Sequence, residues 1–79
     1  MKTVTLKVVQ DKKALLTTFK VMNQRKKYAV ITFYKDQWTL SVNGLAYYCD
    51  SFEEATMRVQ KIAEDFLNML SFNTKVELA

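Results

Sequence analysis

Side chains that usually carry catalysis are scarce in this sequence. It contains no histidine, so the commonest general base and metal ligand is absent. Cys49 is the only cysteine, which excludes an intramolecular disulfide and a cysteine-rich structural zinc site. The single glycine cannot build a glycine-rich phosphate-binding loop. We therefore predict that the protein is not an enzyme and carries neither a metal nor a cofactor.

The remaining reactive groups fit structural roles better than catalytic ones. Cys49 falls on the apolar side of a predicted hairpin, where a small core residue is expected rather than a reactive thiolate. Four carboxylates fall on the polar side of a predicted helix, where acids commonly support solubility: Glu53, Glu54, Glu64 and Asp65. Metal-dependent carboxylate chemistry stays open as the catalytic alternative.

Charge is the most informative property of the chain, because its two halves differ in sign. Residues 1–35 hold nine lysines and arginines against one acid, a net charge of +8. Residues 36–79 hold three against seven acids, a net charge of −4, which gives the overall +4. This asymmetry within a short chain predicts a basic end that attracts polyanions.

The basic residues that flank positions 14–22 are the first candidate binding group: Lys12, Lys13, Arg25, Lys26 and Lys27. We expect them to bracket a first helix and to clamp phosphate groups, which is the usual source of affinity for nucleic acid. A solvated basic surface without a ligand is the alternative interpretation.

Three tyrosines extend this candidate site. Tyr28, Tyr34 and Tyr48 are expected on the open face of a sheet, where aromatic side chains stack on bases in single-strand binders. Ordinary cross-strand tyrosine pairing is the alternative. No aromatic–glycine string, GxxG loop or zinc finger accompanies them, so no known nucleic-acid-binding module is recognised.

Two functional hypotheses follow from these residues. The first is a small binding or regulatory protein whose basic half contacts nucleic acid or a nucleic-acid-handling protein complex. The alternative is an inhibitor of the phage type that blocks a host nuclease or CRISPR complex by protein–protein binding, which rests on small size and the lack of catalytic groups. Met57, Arg58 and Lys61 form a candidate second patch, because Met57 falls among the charged residues of the predicted helix.

The element that must position these residues is a long amphipathic helix over 51–72. Ser51 and Glu54 have the spacing of a capping box, in which each side chain satisfies a free backbone N–H of the other residue. Apolar residues recur at three- and four-residue steps and form one broad face: Phe52, Ala55, Val59, Ile62, Phe66 and Leu70. This face is expected to lie on a sheet.

The sheet is predicted from shorter patterns. Residues 3–9 alternate as a half-buried strand, and residues 28–35, 38–42 and 45–49 are typical of strands. A helix is favoured over 12–23, although its β-branched residues would also suit a strand. The expected fold is an α+β two-layer sandwich of order β-α-β-β-β-α, with a mainly antiparallel sheet and a long C-terminal helix. A five-stranded meander with one helix is the alternative.

Asn43-Gly44 is the strongest local signal, because a two-residue type I′ hairpin favours this dipeptide. It predicts the pairs Val42–Leu45, Leu40–Tyr47 and Trp38–Cys49 on the core side. A second two-residue turn at Asp36-Gln37 would join Phe33 to Leu40 and Ile31 to Val42. It would also place Tyr34, Thr39 and Tyr48 in one row of the open face.

The chain is short enough for one domain over 1–79, with residues 73–79 expected to fray or to add a short edge strand. No signal peptide and no apolar run of about 18 residues is present, so we expect a cytoplasmic protein without membrane contact. A homodimer is left open, because a domain of this size gains from additional buried area.

Overall fold

Six strands and one helix make up the structure, a computed structural model that describes all residues, 1–79. In chain order the elements are β1 (Lys2–Gln10), β2 (Thr17–Asn23), β3 (Lys26–Tyr34), β4 (Gln37–Val42), β5 (Leu45–Cys49), α1 (Phe52–Leu70) and β6 (Thr74–Leu78). The strands form one sheet in the order β5-β4-β3-β2-β1-β6, and α1 packs against one face of it. The predicted α+β class is confirmed.

The helix predicted over 12–23 is wrong, because residues 17–23 form strand β2 in the middle of the sheet. β2 pairs antiparallel with both β1 and β3, so its backbone groups are satisfied on both sides. Its β-branched Val21 is fully buried, whereas Leu15 of the preceding connection is fully exposed. A helical apolar face therefore never forms here, and the meander alternative is closer to the structure.

The sheet is mixed rather than mainly antiparallel as predicted. The four pairings from β1 to β5 are antiparallel, but β6 pairs with β1 in parallel, with Val4 opposite Val76. The parallel direction follows from α1, which returns the chain to the end of the sheet where β1 begins. Residues 73–79 are therefore a sixth strand rather than a frayed tail, and Val76 is fully buried.

α1 begins at the predicted Ser51 cap, but Glu54 binds the N–H of Asp50 instead of the predicted N–H of Ser51. The Ser51 hydroxyl accepts a hydrogen bond from the Glu54 N–H at 3.0 Å, and the Glu54 carboxylate accepts one from the Asp50 N–H at 2.8 Å. One face of the helix buries small residues against the sheet. The buried apolar core is Leu6, Val21, Ala29, Ile31, Leu40, Val42, Cys49, Ala55, Val59, Ala63 and Val76. α1 does not combine the length and the apolar character that a membrane-spanning helix requires.

The Asn43-Gly44 hairpin is confirmed, with both residues at positive φ (53° and 77°) and all three predicted cross-strand pairs in place. The preceding turn lies one residue earlier than predicted, at Lys35-Asp36, where φ is 49° and 60°. Neither residue is a glycine, so the sequence gives this turn no strong signal.

The displaced turn changes cross-strand partners without changing faces. Phe33 pairs with Trp38 rather than Leu40, and Ile31 pairs with Leu40 rather than Val42. Because the pairing moves by two residues and side chains alternate with a period of two, the predicted core side remains the core side.

The outer edge of β6 is covered by polar side chains of α1. Gln60 Nε2 donates to the Val76 carbonyl at 2.7 Å, and the Glu64 carboxylate accepts from the Val76 N–H at 3.4 Å. Asn68 Oδ1 accepts from the N–H of Thr74, which is 4% exposed. These helix side chains, of which Glu64 was predicted to face solvent, supply hydrogen bonds that a seventh strand would otherwise make.

We predict that Gln60→Ala lowers the free energy of unfolding by about 1 kcal/mol, because it leaves the Val76 carbonyl without its partner at a half-buried edge. The measurement is the urea midpoint at constant m-value. Lys61→Ala is the matched control on the next residue, and it should lower the free energy of unfolding less than Gln60→Ala because its pair with Asp65 is exposed. Equal losses in the two variants would contradict the role of Gln60.

Candidate nucleic-acid interface

The sheet face that α1 leaves uncovered is lined mainly by hydroxyl-bearing side chains. Side chains alternate between faces along a strand, so the strand register defines which residues share this open face. One row across neighbouring strands is Thr18, Thr32, Thr39 and Tyr48, and the next row is Val9, Lys20, Val30, Ser41 and Ala46. Lys7 follows Val9 on the same side of β1 and is exposed.

The five cations of the predicted phosphate clamp do not come together. Lys12 and Lys13 lie in the connection before β2, whereas Arg25, Lys26 and Lys27 lie around the turn that follows it. Seven residues of extended strand separate the groups, a span of about 20 Å. The prediction that they bracket a helix is therefore wrong, since they flank a strand and lie at opposite ends of the open face.

The turn between β2 and β3 is the more uniformly positive end of the face. Asn23, Gln24, Arg25 and Lys26 line a shallow polar pocket of about 460 Å³ there. We call Arg25, Lys26 and Lys27 the turn-end cluster. The opposite end carries Lys12, Lys13 and Lys35 together with Asp11 and Asp36, which partly offset its charge.

Ion pairing differs sharply between the two halves of the chain. Of the nine cations in residues 1–35, only Lys20 lies near a carboxylate, with Nζ at 3.5 Å from Asp11. All three cations of residues 36–79 are paired, as Arg58–Glu54, Lys61–Asp65 and Lys75–Glu77. The strands β1–β3 and their connections therefore carry eight cations without an acidic partner.

Tyr34 and Tyr48 lie on the open face and are 54% and 73% exposed. Tyr34 pairs with Gln37, so it lies one row away from the predicted row of Thr39 and Tyr48. The two rings belong to strands two places apart, which separates their Cα atoms by about 12 Å. Lys35 Nζ lies 5.3 Å from the Tyr34 ring centroid, so this ring is held beside a positive charge.

Tyr28 does not belong to the open face, contrary to the prediction. The β2–β3 register shifts between Val21 and Met22, which leaves Tyr28 unpaired in a bulge, and its side chain packs against the core. Its hydroxyl is buried with no hydrogen-bond partner, and burial raises the pKa of Tyr28 above the ordinary value of 10.0. Nothing in the local sequence signals this bulge.

The predicted second patch is brought together on α1, where Met57, Arg58 and Lys61 line a shallow groove of about 510 Å³. Both of its cations are neutralised by acids on the same helix. The hydrogen bond that Lys61 donates to the Asp65 carboxylate raises the pKa of Lys61, and the Arg58 guanidinium lies 5.6 Å from the Tyr47 ring centroid. The patch is therefore nearly neutral, with Met57 exposed at its centre.

Cys49 lies in the core, on the side of the β4–β5 hairpin where the sequence predicts it. Cys49 is 2% exposed, and burial raises the pKa of its thiol although nearby Arg58 opposes the shift. No cluster of three or more Cys, Asp and Glu side chains is arranged to hold a metal ion.

An apolar groove of about 470 Å³ lies beside the start of α1 and was not predicted. Val8, Phe19, Phe52 and Leu78 contribute its apolar walls. Phe19 and Phe52 pack with centroids 4.6 Å apart, and Trp38 lies 5.5 Å from Phe52. The aromatic contacts anchor the first turn of α1 on the sheet.

Comparison with protein-family models, with curated proteins and with solved structures finds no match for this chain.

We predict that Tyr28→Phe raises the free energy of unfolding by about 1 kcal/mol, because it removes a buried hydroxyl that has no partner. The folded state holds the Tyr28 proton more tightly than the unfolded state. The stability that comes from this tighter binding of the proton is therefore complete below pH about 10 and is lost as the pH rises through the raised pKa of Tyr28. The variant should lose less stability than the unmodified protein at alkaline pH.

Chemical denaturation between pH 7 and pH 11 measures both effects (roughly the range around an ordinary tyrosine pKa). Tyr48→Phe is the control, since its ring is exposed and its substitution should leave the alkaline profile unchanged. An identical profile for Tyr28→Phe and the unmodified protein would show that Tyr28 is not the responsible group.

Proposed function

We propose that this protein is a small non-enzymatic binding or regulatory protein whose open sheet face contacts nucleic acid or a nucleic-acid-handling protein. The observation that supports this proposal is the set of eight cations in residues 1–35 that have no acidic partner. Cations already paired with carboxylates gain little from a phosphate. Unpaired lysines and arginines release condensed counterions from a polyanion when they bind it, which favours association.

The arrangement of the face suits an extended single strand better than a compact anion. The turn-end cluster and the cations near Lys12 are separated by the length of β2, so one phosphate cannot contact both. A strand of several nucleotides bridges that distance, and the exposed rings of Tyr34 and Tyr48 lie along the face. Aromatic rings stack on any base, so this recognition would tolerate sequence variation.

The second candidate function is inhibition of a nuclease or a CRISPR complex by protein–protein binding, as phage-encoded inhibitors act. The same unpaired cations support it, because a positive surface of this kind fits a negatively charged partner surface. In this case the protein would not bind free nucleic acid and would remain bound to a protein partner after nuclease treatment.

We predict that the double variant Lys26→Ala, Lys27→Ala flattens the salt dependence of binding to single-stranded DNA or RNA. Two lost phosphate contacts should reduce the slope of log K against log salt by about 1.4, since each contact on a single strand contributes about 0.7. Fluorescence anisotropy of a labelled mixed-sequence oligonucleotide across a salt series measures the slope.

The matched control is Lys61→Ala, Lys75→Ala, which removes the same total charge from residues that are already ion-paired. It should leave the slope nearly unchanged, because neither side chain is free to contact phosphate. Equal slopes in both double variants would exclude the turn-end cluster as the contact, and no binding by the unmodified protein would favour the inhibitor alternative.

We also predict that Tyr48→Ala weakens oligonucleotide binding by about 1–3 kcal/mol at constant salt slope, because it removes a stacking surface but no charge. Met57→Ala is the control, since Met57 is about equally exposed (70% against 73%) but lies on α1. A change in slope, or an equal loss in Met57→Ala, would contradict stacking at Tyr48.

A further inference from the structure

The two edge strands of the sheet, β5 and β6, differ in how far side chains cover their outward backbone groups. The outer edge of β6 receives hydrogen bonds from Gln60, Glu64 and Asn68, so it has few free backbone groups. No such side chain covers the outer edge of β5. In the β4–β5 hairpin, the backbone N–H and C=O groups of Leu45, Tyr47 and Cys49 point toward β4. The backbone groups of Ala46 and Tyr48 therefore point outward, away from the sheet.

The β5 edge also lacks the features that usually prevent strands from pairing with one another. Residues 37–49, which contain all of β4 and β5, include no charged residue and no proline. Natural edge strands are commonly guarded by lysine, proline or bulges. Here the edge instead exposes Leu45 at 58% and Tyr48 at 73%.

We propose that β5 pairs antiparallel with β5 of a second copy of this chain, with Tyr47 on the two-fold axis. Ala46 then lies opposite Tyr48 of the second copy, and the reverse pair is related by symmetry. Each pair exchanges two N–H···O=C bonds, so the four hydrogen bonds use the outward groups of these two residues in both copies.

Charge and side-chain size favour a second copy over other occupants of this edge. A polyanion would need cations, but β4 and β5 have none, and the nearest cation on α1, Arg58, already pairs with Glu54. A charged peptide finds no complementary charge along the strand. In the two-fold pairing, small Ala46 opposes large Tyr48 on the open face, which leaves room for the ring. No like charges oppose each other along the paired strands.

The pairing joins the two sheets into one of twelve strands with a continuous open face. The unpaired cations, which belong to β1–β3 and their connections, then lie on the far sides of both copies, away from the axis. Charge repulsion between the copies is thereby reduced by distance and screening. This dimer does not depend on the identity of the ligand at the open face.

Sedimentation equilibrium from micromolar to millimolar protein tests the pairing. We expect the unmodified protein to dimerise and Tyr48→Lys to raise the dimer dissociation constant by about tenfold or more, because the two introduced charges would be diagonal neighbours across the axis, about 8 Å apart on the same face. Ser41→Lys is the matched control: it adds the same charge to the same exposed face, one strand inward, and should remain dimeric. A monomer throughout the range overturns the proposal.

A sample that mixes ¹³C-labelled and unlabelled protein supplies a second readout that does not depend on a variant's folding. Isotope-filtered NMR should detect intermolecular contacts between the Ala46 methyl group and the Tyr48 ring. A dimer that lacks these contacts, or that survives Tyr48→Lys unchanged, uses another surface and overturns the β5 pairing. Nucleic-acid binding by the monomeric Tyr34 and turn-end surfaces is measured separately, so the two proposals fail independently.

Discussion

The structure depends on two simultaneous contacts of α1: its apolar face packs on the sheet, and its polar side chains bind the backbone of β6. Its buried stripe of Ala55, Val59 and Ala63 approaches the core closely because the side chains are small. Three polar side chains of α1, Gln60, Glu64 and Asn68, form hydrogen bonds with the backbone of β6. Gln60 donates to the Val76 carbonyl, Glu64 accepts from the Val76 N–H, and Asn68 accepts from the Thr74 N–H. These three hydrogen bonds help to hold β6 beside β1.

The same division of layers separates charge. α1 contains four of the eight acids and pairs both of its cations internally, whereas the strands β1–β3 and their connections contain all eight cations without an acidic partner. A single layer of sheet lies between them, so the negative helix does not neutralise the open face. The net charge of +4 therefore understates the positive charge that the strands β1–β3 and their connections carry.

Local signals predicted the elements that depend on local chemistry: the Asn43-Gly44 turn, the cap at Ser51 and the core side of the hairpin. Elements that depend on distant partners were missed. β2 carries apolar spacing that fits a helix, and only its two neighbours make it a strand. β6 depends on β1, and the bulge at Tyr28 has no sequence signature. The five predicted cations were grouped because they are close in sequence. Closeness in sequence does not show that the two groups lie at opposite ends of β2.

The parallel pairing of β1 with β6 unites the first strand of the chain with the last. Val4 and Leu6 therefore gain their neighbours Val76 and Leu78 only when the final strand has been synthesised. The hairpins from β1 to β5 close early, since their partners are adjacent in sequence, whereas residues 2–6 of β1 meet their partners some seventy residues later in the chain. In a nascent chain, β1 would thus be held by its hairpin with β2 alone until α1 and β6 have emerged.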